Sequence, residues 1–206
     1  MAVDFRDEAP AILKDYLIYK QTIKNMSKKT VDEYFIDLRT FFRFLKVMRG
    51  LVPDGTEFDE IKIDDVDLDL IKTVNLELAY DYMNFLYRDR NNKSASRARK
   101  CSSLKGFFKY ITNNKHLLDT NPVEQLESPK NKKALPKYLT LEQSIELLNA
   151  VDGNNKQRDY CILTLFLNCG LRVSEMAGLN YNDIHSDGTM RVVGKGDRKS
   201  TRLNSS

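Results

Sequence analysis

An arginine fixed just after a glycine turn, with a glutamate three residues on, is a compact way to present a positive charge to an anion. This chain carries that arrangement in Cys169-Gly170-Leu171-Arg172-Val173-Ser174-Glu175-Met176-Ala177-Gly178-Leu179. Gly170 lets the backbone turn sharply. Arg172 then follows at a fixed place, and its planar guanidinium suits bidentate contact with phosphate oxygens. Glu175 lies one helical turn further and can orient it. Read alone, the same pair also suits an ordinary i, i+3 contact on a helix surface. Further on, Val192-Val193-Gly194-Lys195-Gly196 places a lysine at the tip of a tight turn after a short strand at 190–193. By itself that is a solvated lysine in a turn.

The elements that must hold these residues are mostly helical. Residues 8–24 form a short amphipathic helix with Ile12, Leu13, Tyr16 and Leu17 on one side. Ser27 suits the N-cap of a longer helix whose stripe is Val31, Tyr34, Phe35, Leu38, Phe41, Phe42 and Leu45, in steps of three and four. Gly50, Pro53 and Gly55 end it. An acidic connector with little period follows to about residue 73. Helices are predicted over 75–89 and 94–113. In the latter, Cys101, Leu104, Phe108 and Ile111 make a buried stripe, and Arg99, Ser102, Lys105 and Lys109 fall on the other side. Residues 128–140 are lysine-rich with two prolines, a linker by composition. Thr140 with Gln143 reads as a capping box opening a second unit. Residues 157–169 are apolar nearly all round and predict a buried helix stopped by Gly170. A short helix over 173–179 precedes the strand.

Charge is unevenly distributed along the chain. Formal net charge is +4, yet residues 54–69 hold eight acids against one base, and residues 88–115 hold nine bases against one acid. A concentrated basic segment is the electrostatic footprint of a polyanion binder, and equally of a solvated helix face. No apolar run approaches the roughly 18 residues of a membrane span, and the acidic N-terminus lacks a signal pattern. The reading is a cytoplasmic chain without membrane contact. Cys101, Cys161 and Cys169 lack metal-ligand spacing and are expected to be buried free thiols.

Three ordered strings together resemble the tyrosine recombinases, the phage-integrase and Xer family. The Gly170–Leu179 string resembles the family's G-L-R-x-S-E-x-x-x-L box. The Gly194-Lys195-Gly196 turn resembles its β-hairpin. Ser27-x-x-Thr30, Tyr34, Asp37-Leu38 and Phe41-Phe42, with Arg99 to Ile111, look like the second and fourth helices of its core-binding domain. The resemblance spans residues 8–196. It implies a mainly α fold: a four-helix SAM-like core-binding domain over 1–128, a linker over 129–139, and the first part of an α+β catalytic domain with a small β-hairpin over 140–196.

The resemblance makes Arg172 and Lys195 catalytic, with Glu175 in support. Arg172 holds the phosphate, and Lys195 protonates the leaving 5′-oxygen. It lays the basic helices on DNA, with Lys28, Lys29, Thr30, Arg43, Arg97, Arg99, Ser102 and Lys105 as contacts. It implies a reaction without cofactor or metal, in which a tyrosine forms a 3′-phosphotyrosyl link. The partner is a double-stranded DNA recombination site, bound by a homo- or hetero-tetramer of protomers.

The family also has an H-x-x-R box followed by the nucleophilic tyrosine. His116 and His185 do not begin such a box, and Tyr138, Tyr160 and Tyr181 precede its place. Residues 197–206, DRKSTRLNSS, are polar and look like a translated sequencing adapter. They are expected to be a non-native tail that leaves the strand at 190–193 without a partner. The chain is therefore read as C-terminally truncated and inactive, with a second unit that exposes apolar surface. A DNA-binding regulator without chemistry uses the same basic helices. A helical protein-interaction domain explains the periodicities but not the arginine string and lysine turn together.

Overall fold

The computed structural model describes residues 5–130, 135–193 and 199–203. The chain divides into two compact units, Met1–Lys133 and Ala134–Ser206.

The first unit is all helical. A one-turn helix α1 (Phe5–Glu8) is separated by Pro10 from α2 (Ala11–Thr22), because proline fits the start of a helix but not its interior. Helix α3 (Lys28–Met48) begins at Ser27, whose Oγ accepts from the Thr30 amide at 3.4 Å. Its predicted stripe is buried from Val31 to Leu45, apart from half-buried Tyr34. Gly50 turns the chain away at φ 65°.

The acidic connector is more ordered than its lack of period predicts. It contains a 3₁₀ turn at Phe58–Glu60 and a short helix α4 (Leu68–Lys72) capped by Asp67. Cations of α3 and of the segment at 89–93 hold it down. The Lys46 ammonium donates to Asp65 at 2.7 Å and to the Lys62 carbonyl at 3.0 Å, and Arg90 donates to both Asp59 oxygens at 3.1 Å. Helix α5 (Leu76–Arg88) starts at an Asn75 cap, α6 (Ser94–Asn113) follows, and the stretch after it adds buried Val123 and Leu126 to the core.

The core of this unit is aromatic. Tyr16, Phe35, Phe41, Phe42, Tyr82, Phe107 and Phe108 are fully buried. Several meet edge to face, among them Phe42 with Phe107 and Phe41 with Tyr82. These contacts fix α3 against α2, α5 and α6.

The second unit opens with α7 (Leu141–Asn149). Thr140 Oγ1 accepts from the Gln143 amide, and Gln143 Oε1 accepts from the Thr140 amide, the predicted capping box. Helix α8 (Lys156–Cys169) ends at Gly170, which is left-handed at φ 57°, ψ 37°. Helix α9 (Val173–Ala177) follows. Strand β1 (Thr189–Val193) pairs antiparallel with β2 (Lys199–Leu203), in a register that sets Thr189 opposite Leu203 and Val193 opposite Lys199.

Three expectations need correction here. The strand at 190–193 does have a partner, supplied by the polar tail. A ladder is made by backbone amides and carbonyls, so an antiparallel partner needs no apolar alternation. Helix α8 is not buried all round: within this chain Cys169 is its one buried residue, and Leu165 and Phe166 pack only partly. Cys101 and Cys169 are buried thiols as expected, but Cys161 is exposed.

Candidate functional site

The arginine string is built from its flanks. Leu171 and Cys169 sit in the small core of the second unit with Met190 and Val192 from β1, and Met176 and Leu179 pack against them. The backbone on both sides of Arg172 is thereby anchored. Glu175, 7% exposed, does two jobs. Its Oε2 accepts from the Arg172 amide at 2.8 Å, satisfying an orphan donor at the start of α9, and its Oε1 accepts from Arg172 Nη1 at 2.6 Å. Arg172 keeps 73% of its side chain exposed. The result is a guanidinium aimed by a buried carboxylate, with most of its donor edge facing solvent. Lys195, predicted beside it, lies outside the described residues. Tyr138, Tyr160 and Tyr181 are exposed.

In the first unit, the predicted contacts divide into open and committed groups. Lys28 and Lys29 are exposed at the start of α3, and half-buried Thr30 lies 2.9 Å from the Ser27 hydroxyl. Ser102 and Lys109 are exposed on α6. Lys105 donates to the Leu126 carbonyl at 2.9 Å. Arg97 donates to the Asn92 carbonyl at 2.8 Å and lies over the Tyr87 ring at 4.8 Å. Arg99 is tethered to α3 through Glu33 and Asp37. Arg43 faces the connector, where Nε donates to the Ile61 carbonyl at 2.9 Å and Nη1 approaches Asp59 at 3.4 Å. Burial, with neighbouring Arg39, lowers its guanidinium below the ordinary arginine value.

Ser102, Lys105 and Lys109 line a groove of about 650 Å³ together with Lys20, Tyr34 and Asn121. Lys20 is a groove residue that sequence reasoning missed. Its ammonium sits over the Tyr16 ring at 5.2 Å and the Tyr34 ring at 4.9 Å. Burial and the Lys24 charge lower its pKa. The i, i+4 spacing from Tyr16 to Lys20 was the available signal. A second groove, about 510 Å³, is lined by Asp7, Glu8, Asp59, Glu60 and Asp64 with Arg39 and Arg43. It shares no lining residue with the first. Among the described residues no cluster of His, Cys, Asp and Glu could hold a metal, and no helix is long and apolar enough to cross a membrane.

The chain thus joins a helical unit with a lysine-lined groove to an α+β unit that presents a carboxylate-held arginine. Residues 13–115 match the phage integrase N-terminal SAM-like domain, and residues 137–204 match the phage integrase family. The chain belongs to the phage integrase family of tyrosine recombinases.

Among curated proteins it is 48% identical over 192 residues to the tyrosine recombinase XerC of Caldanaerobacter subterraneus subsp. tengcongensis, covering 93% of this chain and 54% of that protein. It is 32% identical over 191 residues to the XerC of Syntrophus aciditrophicus, covering 91% of this chain and 57% of that one. The chain thus spans just over half the length of these relatives. In fold it is similar to lambda integrase residues 75–356, solved as a dimer bound to a COC′ core site. There the TM-score is 0.59 at 18% identity, covering 93% of this chain and 62% of that one. The Tn1549 transposon integrase, residues 82–397, solved with circular intermediate DNA, gives a TM-score of 0.54 at 19% identity, with coverage of 95% and 59%.

Proposed function

We propose that the whole protein is a Xer-type site-specific recombinase acting on double-stranded DNA in the cytoplasm, and that this chain supplies its grip on DNA and the first part of its active site. The observation that carries the reading is Arg172, aimed by Glu175 in one unit, in the same chain as the lysine-lined groove of the other.

In this reading Lys20, Lys28, Lys29, Lys105 and Lys109 meet backbone phosphates, which give affinity and register. Arg172 holds a non-bridging oxygen of the scissile phosphate. There it offsets the negative charge that builds up on the pentacoordinate centre. A tyrosine outside this chain attacks phosphorus and forms a 3′-phosphotyrosyl bond as the bond to the 5′-oxygen breaks. Lys195 gives that oxygen its proton. The phosphotyrosyl bond conserves the phosphodiester for rejoining, so no cofactor is consumed. Four protomers assemble on two sites.

No tyrosine of this chain follows an H-x-x-R box, so the chain as it stands holds DNA without cutting it. Incubating the chain, and separately a version extended by the native downstream sequence, with nicked duplex substrates tests both parts. Salt-dependent binding by both, and covalent trapping by the extended protein alone, is expected. Covalent trapping by the present chain refutes its assignment as a non-cleaving part. Absence of DNA binding at low salt refutes the reading altogether.

A further inference from the structure

Asp37 is an acid in the middle of the core face of α3, and its side chain is fully buried. Burying a carboxylate is unfavourable unless donors surround it. Here they do, and all three come from one stretch of α6. Arg99 Nη1 donates at 2.7 Å, Lys100 Nζ at 3.0 Å and Ser103 Oγ at 2.8 Å. Lys100 is itself buried and also reaches the Thr40 hydroxyl at 3.3 Å. Arg99 is different: 45% of its side chain is exposed, and its second partner, Glu33 at 2.9 Å, is exposed as well. Both contacts of Arg99 fall on Nη1, whereas a guanidinium carries five donors in a rigid fork.

Lys100 balances the Asp37 charge from within the core, which leaves only the exposed, solvent-screened Glu33 against Arg99. A side chain already held in one rotamer gives up little freedom when it meets a ligand. We infer that Asp37 is a positioning residue for DNA binding: it locks Arg99 at the α3–α6 junction with a free donor edge presented to a backbone phosphate. This rests on the DNA-binding reading above.

The test is a thermodynamic cycle on the full chain, read by anisotropy with a fluorescein-labelled mixed-sequence duplex of about 30 base pairs at about 50 mM salt. Asp37→Asn alone leaves the buried Lys100 ammonium unbalanced, so its loss of binding could reflect misfolding. Asp37→Leu combined with Lys100→Met removes both charges in side chains of similar shape, and a urea titration confirms that it folds. Arg99→Ala is expected to weaken binding about tenfold in the native background and less than about twofold in the paired variant. Lys109→Ala should cost the same in both backgrounds, which a general loosening of the unit would not allow. Equal cost of Arg99→Ala in both backgrounds, or native affinity of the paired variant, overturns the inference while leaving DNA binding intact. A native chain without salt-dependent binding overturns the functional reading and this inference with it.

Discussion

Replacing Gly106 by alanine is expected to destabilise the first unit, against the sense of helix propensity. Gly106 lies inside α6, where alanine is ordinarily favoured by about 1 kcal/mol. A Cβ at this position would stand 2.8 Å from the Tyr16 hydroxyl, whereas ordinary contact begins at 3.4 Å. The next neighbours, Lys20 Nζ at 3.9 Å and Tyr34 Cε1 at 4.0 Å, are in normal contact. So the obstruction is one oxygen atom, and it has nowhere to go. Tyr16 is fully buried among Tyr34, Phe107 and Tyr110, with ring centroids 6.1, 5.5 and 5.3 Å away. Overpacking of this kind costs about 2 kcal/mol, leaving a net loss of about 1 kcal/mol. The same hydroxyl has no hydrogen-bond partner among the described residues, and burial pushes the phenol pKa well up. Tyr16→Phe should therefore be neutral or stabilise by about 1 kcal/mol. With the oxygen gone, Gly106→Ala should recover its propensity gain, so the two changes couple by about 2 kcal/mol. Amide exchange along α6 reads the opening of this unit separately from the other. If Gly106→Ala raises α6 protection in the native background, or if Tyr16→Phe does not reverse its effect, the steric reasoning is wrong.

Other outcomes follow from the same contacts. Each of Lys28→Ala, Lys29→Ala and Lys109→Ala should reduce the slope of log affinity against log salt by about 0.9, and unchanged slopes would remove those residues from the interface. Glu175→Ala should cost the start of α9 about 1 kcal/mol and set Arg172 free, seen as loss of α9 amide protection and a broadened Arg172 Nε resonance. Burial pushes the Cys101 thiol up, so at about pH 8 it holds less thiolate than an ordinary cysteine. Iodoacetamide should accordingly mark exposed Cys161 well before Cys101, and equal rates by peptide mapping would contradict the packing. The second unit exposes Leu141, Ile145, Val173 and Tyr181 and has a small core, so limited proteolysis should leave a fragment near residues 1–130. Equal resistance of the two units would count against that.

The helices of the first unit were legible because their stripes recur at three and four residues, and the caps at Ser27 there and at Thr140 in the second unit use side chains suited to that work. Helix α4 was not legible. It has five residues, one fully buried, Ile71, so no period can develop, and its signal reduces to the Asp67 cap. The burial of α8 was overread because an apolar sequence states what a helix requires, not what the chain supplies to cover it. In the candidate site, Arg172 and Glu175 are neighbours in sequence, and their contact follows from one helical turn. Arg43 and Asp37 depend on partners 16 to 66 residues away, and helical phase does not reveal which carbonyl or carboxylate folds back onto them. Lys20 was hidden for a related reason: its setting between two rings needs α2 and α3 to be packed first.

The connector held by Lys46 and Arg90 has a consequence beyond stability. Three of its eight carboxylates, Asp59, Glu60 and Asp64, line one groove while Lys20, Lys105 and Lys109 line another, so the first unit carries acids and bases on separate surfaces. In the field of a polyanion such a body experiences a torque as well as an attraction. Encounters that lead with the lysine groove are favoured over those that lead with the carboxylates. The acids thus shape the kinetics of association without touching the ligand. Neutralising exposed ones such as Glu60 and Asp64 should raise overall attraction yet lower the fraction of encounters that lead to a bound state.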